Sequence, residues 1–509
     1  MFDTKNRNTA VWLFFLVLSV YLLVASGHYG GDAVNNYLTT RSMIIDKNVK
    51  IDNEDFDISE IKLDREAVVR GVGGASYSSQ GIGMPLLQVP LYLIGLIASK
   101  VLSSLPGSYI TFFLVSFTNS FISAVNAVLL FMIMIKLSFN RKHAVYLCAA
   151  YSFCTWAIVY SKTGFSEPAQ VTFMLLSMLA MFSYFKKPGS SKALLVLAGA
   201  SLGFMGLIKS YSVILTPLFA LYFLSKNKDG KKPDILLPII SYAAVFSVEL
   251  LLNHIRFGGI LKSGYGDAIA FGFGYGNHFF KGLYYYWLSS GKGFFFYSAL
   301  LTLSFVTWRA FYTKNKNEFW FVLLIILSYA IYFAYFFKRG SIFSWGPRYL
   351  FPITPLFLLF MEGVFKKKPL AYLFIFISFL SFAVQIPAVV MNYSRYIYFV
   401  KERLGLEEYM INFIPGLSPI KGCWHLLASF ISNKFFGAEH IFLYSPDPLF
   451  IKSVSSGMSG YDIVDLWYVN ASAYNKGLIN FIAIAVSSVF ALMLISIYKL
   501  SKSLGKRYE

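Results

Sequence analysis

The sequence predicts an all-α polytopic membrane protein, a bundle of about twelve transmembrane helices with surface helices in the first external loop, and three observations predict it. Hydrophobic residues make up 57% of the chain and charged residues only 14%, against about 25% charged in an ordinary soluble domain. Apolar runs long enough to cross a bilayer recur along the whole length. The Lys and Arg residues behind the net charge of +20 fall mostly in short clusters between those runs. That is the positive-inside pattern rather than a nucleic-acid footprint, so no nucleic-acid partner is expected.

The first run, near 10–27, is followed by Gly27-His28-Tyr29-Gly30-Gly31 and not by a small-residue cleavage site, so it is expected to stay as a signal anchor. Further runs lie near 112–135, 144–160, 168–185, 193–208, 212–225, 235–252, 293–310, 319–337, 348–364, 369–390 and 478–498. Basic clusters at Lys5 to Arg7, Lys136 to His143, Lys186 to Lys192, Lys226 to Lys232, Arg309 to Lys316, Lys366 to Lys368 and from Lys499 mark cytoplasmic ends. Both termini are then cytoplasmic, in a multi-pass protein of the plasma (inner) membrane. The loops 28–83, 161–167, 253–292, 338–347 and 391–477 face the external or periplasmic side.

Residues 84–104 are also apolar, but a crossing there would carry the Lys136 to Lys142 cluster outside. Interrupted by Pro85 and Pro90, the segment is expected as a helix on the outer surface. The organisation is therefore a multi-spanning transmembrane region over 1–390, an external loop or small cap over 391–477, and a last transmembrane helix with a basic tail over 478–509. Three Cys and six scattered His give neither a disulfide framework nor metal-ligand spacing. No Walker loop, HExxH or Ser/His/Asp pattern is present. No cofactor is expected, and the need for a divalent metal stays open.

Four external features carry candidate chemistry. Asp32 stands in the Gly-rich stretch just past the first apolar run, where a carboxylate ionises while still touching a lipid-anchored molecule; its competing reading is a solvated turn residue. Glu167 opens a helix ahead of Pro168, either as a second active-face acid or as a carboxylate that complements the helix dipole. Lys209 lies between two apolar runs, where a lysine is costly and an anionic lipid phosphate is its natural partner, unless it snorkels to the headgroups. Arg348, after Gly346-Pro347, suits bidentate phosphate binding, with pairing to an acidic side chain as its alternative. Arg339 and Lys162 are further candidate phosphate ligands, and His28, Tyr37, Trp345 and Tyr349 candidate pocket residues.

Together these stretches resemble the GT-C superfamily of membrane glycosyltransferases, in the group related to protein O-mannosyltransferases and aminoarabinose transferases. The likeness runs over most of residues 10–390 and rests on Gly31 to Leu38, Tyr77 to Leu86 followed by Pro90, Tyr160 to Glu167, and Trp345-Gly346-Pro347-Arg348-Tyr349-Leu350 followed by Pro352. It implies transfer of a sugar from a polyprenyl-phosphate donor to a glycan, lipid or protein acceptor at the outer face, with a catalytic acid in the first loop, here Asp32. Many relatives pair that acid with a second one. Here Ala33 follows, so the second role falls to Glu167 or to none.

In the reaction expected, the acceptor hydroxyl attacks the anomeric carbon with inversion while Asp32 takes its proton, and Lys209 and Arg348 stabilise the leaving phosphate. A flippase or transporter of lipid-linked saccharides would use midplane ionisable groups, for which Glu249 is the strong candidate. An oligosaccharide polymerase would use arginines of the 391–477 loop, which has Arg395 and Arg403 at its start.

Overall fold

A computed structural model of the chain describes residues 3–28, 32–51, 68–186, 189–227, 232–264, 266–267, 279–335, 343–398, 400, 408–436 and 464–505. Helix α1 (Thr4–Val24) is followed by α2 (Asp32–Ile45), a small antiparallel pair of strands β1 (Val68–Arg70) and β2 (Ser76–Ser78), and α3 (Gly83–Val101). Then come α4 (Gly107–Val115), α5 (Thr118–Lys136), α6 (Arg141–Cys154), α7 (Ala157–Tyr160), α8 (Glu167–Lys186), α9 (Ala193–Ile208), α10 (Thr216–Lys226) and α11 (Leu236–Phe257). The second half holds α12 (Phe279–Leu288), α13 (Phe294–Tyr297), α14 (Ser304–Lys314), α15 (Lys316–Tyr335), α16 (Thr354–Leu359), α17 (Lys368–Val390), α18 (Tyr393–Tyr398), α19 (Glu408–Phe413), α20 (Pro419–Phe436), α21 (Trp467–Tyr474) and α22 (Ile479–Gly505).

Among the described residues, nine helical stretches are long and apolar enough to cross a membrane. Gly83–Val101 is one of them. Its prolines point to an interrupted surface segment, yet it runs unbroken: Pro85 falls in the first turn, where its missing N–H is not needed, and Pro90 is accommodated inside the helix. Four of the expected runs instead come out as short helices in series, the 348–364 run as a 3-10 turn (Arg348–Ile353), α16 and a second 3-10 turn (Glu362–Lys366). The 144–160 run breaks at Thr155, whose hydroxyl donates to Tyr151 O and accepts from Ala157 N. The 212–225 run is a 3-10 turn (Ser210–Leu215) leading into α10. The 293–310 run passes through α13 and a 3-10 turn (Ala299–Leu303) into α14, and the Leu300 N–H freed there donates to Ser381 Oγ of α17 at 2.9 Å. In an apolar medium every backbone group needs such a partner, and at the breaks in 144–160 and 293–310 a Thr or Ser hydroxyl supplies it.

The basic turns gather at one end of the bundle. Lys186 Nζ donates to Lys136 O and Ser138 Oγ, Lys192 pairs with Asp234 at 2.7 Å, Lys226 with Glu318 at 2.7 Å, and Lys314 with Glu362. Thr9 near the start of α1 bonds Ser503 near the end of α22 at this same end. The opposite helix ends meet one another through a different set of bonds: Ser26 Oγ to Lys162 O, Asn119 Nδ2 to Phe165 O, Tyr160 OH to Trp345 O, and Arg256 to Gln80 O. The loops expected to face outward therefore converge.

Arg256 and Glu249, both buried on α11, form an ion pair of 3.2 Å, and Arg256 also donates to Gln80 O at 3.0 Å. This pair fastens α11 to the turn that precedes α3. Arg256→Ala would strand a buried carboxylate, so thermal unfolding in detergent should show a loss of about 3–5 kcal/mol, most of it recovered in the Glu249→Leu/Arg256→Met double variant.

Candidate functional site

Asp32 is the first residue of α2. One turn on, Asn36 Nδ2 donates to Gln80 Oε1 at 3.5 Å, and Thr40 Oγ1 reaches Pro85 O and Gln88 Oε1. The helix is thus laid along the Gln80–Gln88 segment. Tyr37 is buried against α4, its hydroxyl 2.7 Å from Thr111 Oγ1 and its ring edge-on to Phe112. It fixes α2 in place and lies in packing, not on an open wall.

The same segment receives the end of α9. A Cβ on Gly81 would sit 2.1 Å from Leu207 O, so only glycine permits this approach. The contact sets Lys209, the C-cap of α9 and 6% exposed, beside the turn that also carries α2. Two residues later Tyr211 donates to Gln170 Oε1 at 3.0 Å, one turn into α8. Lys209 is therefore tied on one side to the first loop and on the other to the helix opened by Glu167.

Glu167 is fully buried. Its Oε1 accepts from Arg348 Nε at 2.8 Å, while Oε2 has no hydrogen-bond partner among the described residues. The Arg348 guanidinium carbon also lies 3.9 Å from the centre of the Phe165 ring. Both turns are held from outside. Asn119 Nδ2 donates to the Thr163 and Phe165 carbonyls and Tyr160 OH to Trp345 O; Lys292, 1% exposed, donates to Ser344 O and Oγ. Trp345 is fully buried with Nε1 on Gln385 Oε1, and Gly346 turns the chain at φ +71° before Arg348 enters a 3-10 turn. Tyr349 stacks on Phe333, 5.1 Å between centroids. Near the Glu167–Arg348 pair the Gln170 Nε2 and Tyr329 OH groups are buried without a hydrogen-bond partner among the described residues. Such groups are ones that a polyhydroxylated ligand can satisfy.

Lys162 lies elsewhere. Its ammonium pairs with Asp465 Oδ2 at 2.9 Å and donates to Asp465 O and Val389 O. Burial lowers its pKa, against the pull of Asp465. Burial raises that of Asp465, but Lys162 and His28 more than reverse this and hold the carboxyl below its ordinary value. His28, at 45% side-chain exposure, has Nε2 3.5 Å from Asp465 Oδ1. Arg339 lies outside the described residues.

Sequence reasoning missed Gln80, Gln170, Lys292 and Asp465. Gln80 lies within the Tyr77 to Leu86 stretch, and Asp465 left a trace in the acidic and aromatic Asp465-Leu466-Trp467-Tyr468 of the loop before the last apolar run. Among the described residues, no group of three or more His, Cys, Asp or Glu is placed to hold a metal.

Residues 81–252 match the family model described as dolichyl-phosphate-mannose-protein mannosyltransferase. The matched stretch contains Lys162, Glu167 and Lys209, while Asp32 and Arg348 lie outside it. Among solved structures, the crystal structure of ArnT from Cupriavidus metallidurans bound to undecaprenyl phosphate is similar, with 13% identity, 97% of this chain and 76% of that chain covered, and a TM-score of 0.45. No curated protein matches. The family match agrees with the resemblance read from the four sequence stretches.

Proposed function

We propose that this chain is a GT-C-type membrane glycosyltransferase that moves a sugar from a polyprenyl-phosphate donor to an acceptor hydroxyl at the outer face of the membrane. One observation carries most of the reading: α2, the end of α9 that bears Lys209, and the helix opened by Glu167 with its partner Arg348 are joined in series at one bundle end, through Asn36–Gln80, Gly81–Leu207, Tyr211–Gln170 and Glu167–Arg348. The family match over 81–252 supports the same chemistry.

Asp32 accepts the acceptor's proton as its hydroxyl attacks the anomeric carbon. The sugar–phosphate bond breaks in the same step, and the anomeric centre inverts. Polyprenyl phosphate leaves as an anion, so the step needs no strong general acid. Lys209 and Arg348 stabilise the charge that collects on it. Glu167 acts through Arg348: by taking Nε it fixes the plane of a guanidinium whose fork suits a phosphate. The transporter reading loses its main residue, because Glu249 is committed to Arg256 and to the turn at Gln80.

The test is turnover of a panel of polyprenyl-phosphate sugars by the protein in nanodiscs, with release of polyprenyl phosphate as the readout. Lys209→Ala should raise the donor KM roughly ten- to hundredfold, the loss of one charged hydrogen bond of about 1.5–3 kcal/mol. An unchanged donor KM in that variant would remove Lys209 from the phosphate site.

A further inference from the structure

The described C-terminal part of the 391–477 region returns to the first turn of the chain. Trp467 N donates to Ala25 O and its indole Nε1 to Leu22 O, both at 2.8 Å, and Asn470 Nδ2 donates to Ser26 O at 3.0 Å. Just ahead of these, Asp465 N donates to Val390 O at the end of α17, and Val464 bridges Met391. Lys162 joins the two sets, with its backbone carbonyl accepting from Ser26 Oγ at 3.0 Å and its side chain bound to Asp465. Asp32 follows His28, the last described residue of this turn, by four positions.

We propose that the Asp465–Lys162 pair is a latch that fixes the Ala25–His28 turn and, through it, the entry of α2, so that Asp465 is a positioning residue for Asp32. The catalytic half of this inference rests on the function proposed above. An ammonium has three donors. Those of Lys162 have Asp465 Oδ2, Asp465 O and Val389 O within reach, so a donor phosphate would have to displace one of them. A buried ion pair adds little net stability compared with apolar side chains of the same size, and its better-attested use is to hold one arrangement against others. Here the arrangement held is a junction of three segments distant in sequence: the α1–α2 turn, the α7–α8 turn, and the α17 end with residues 464–470. The residue bearing the proposed chemistry begins the helix that leaves this junction.

Two readouts on the full-length protein in nanodiscs test this. Hydrogen exchange followed by mass spectrometry should show faster exchange over residues 22–40 in Asp465→Asn, with α15 unchanged. Donor turnover should show kcat reduced about 10- to 100-fold, the scale of a misplaced reacting group, with the donor KM within about twofold of wild type. The charge-reversed pair Lys162→Asp/Asp465→Lys should restore both readouts toward wild type. Unchanged exchange over 22–40 in Asp465→Asn would overturn the latch. Altered exchange with an unaltered kcat, or a Lys162→Met variant in which only the donor KM rises, would overturn the positioning role. If the wild-type protein turned over no donor, the proposed function would fail, and the exchange arm alone would still decide the latch.

Discussion

Asp32→Asn is expected to abolish transfer while leaving the donor bound. The expected loss in kcat is about 10²–10⁴-fold, the range for removing a positioned general base, and donor affinity should stay near the wild-type value because Lys209 and Arg348, not Asp32, are the proposed phosphate ligands. The substitution keeps size and removes the charge. It falls on the first residue of α2, a helix held to the Gln80–Gln88 segment through Asn36 and Thr40 and to α4 through Tyr37. Equilibrium binding of a labelled polyprenyl phosphate, set beside single-turnover transfer, separates the two effects. Near-full turnover in Asp32→Asn would refute the assignment.

Arg348 gives the second large effect, and its pairing dictates how the experiment is built. Arg348→Ala removes the partner of a fully buried Glu167, so it should cost about 3–5 kcal/mol of stability before any effect on donor is read. The variant that isolates function is Glu167→Gln/Arg348→Gln, which strands no charge. In that protein the donor KM should rise roughly ten- to hundredfold, since the phosphate is deprived of a charge-assisted hydrogen bond worth about 1.5–3 kcal/mol. Arg348→Lys should fall between, keeping the charge but losing the fork. A wild-type donor KM in the paired variant would take Arg348 out of the phosphate site.

The pairing also marks where reading the sequence stops. Glu167 and Arg348 are each legible from their surroundings, a helix-opening acid before Pro168 and an arginine after Gly346-Pro347. That they bind each other is not, for they lie 181 residues apart and meet only because α8 and the 348 turn pack end to end. Helices apolar on every side give no stripe from which rotation or neighbours can be read. The basic ends are legible because charge reports orientation independently of packing, and Lys186, Lys192, Lys226 and Lys314 do gather at one end. Pro90 misleads in the other direction: it reads as an interruption of 84–104, but α3 passes through it unbroken. Asp465 is hidden for a plainer reason. A lone aspartate in a long loop has no pattern until Lys162 is seen against it.

The most direct test of the proposed chemistry is donor turnover by the purified protein in nanodiscs, offered a panel of radiolabelled polyprenyl-phosphate sugars with acceptor lipids or glycans. The expected result is stoichiometric release of polyprenyl phosphate, a product inverted at the anomeric carbon, and loss of both in Asp32→Asn. Movement of intact lipid-linked sugar across the bilayer, with no sugar–phosphate bond broken for any member of the panel, would contradict it.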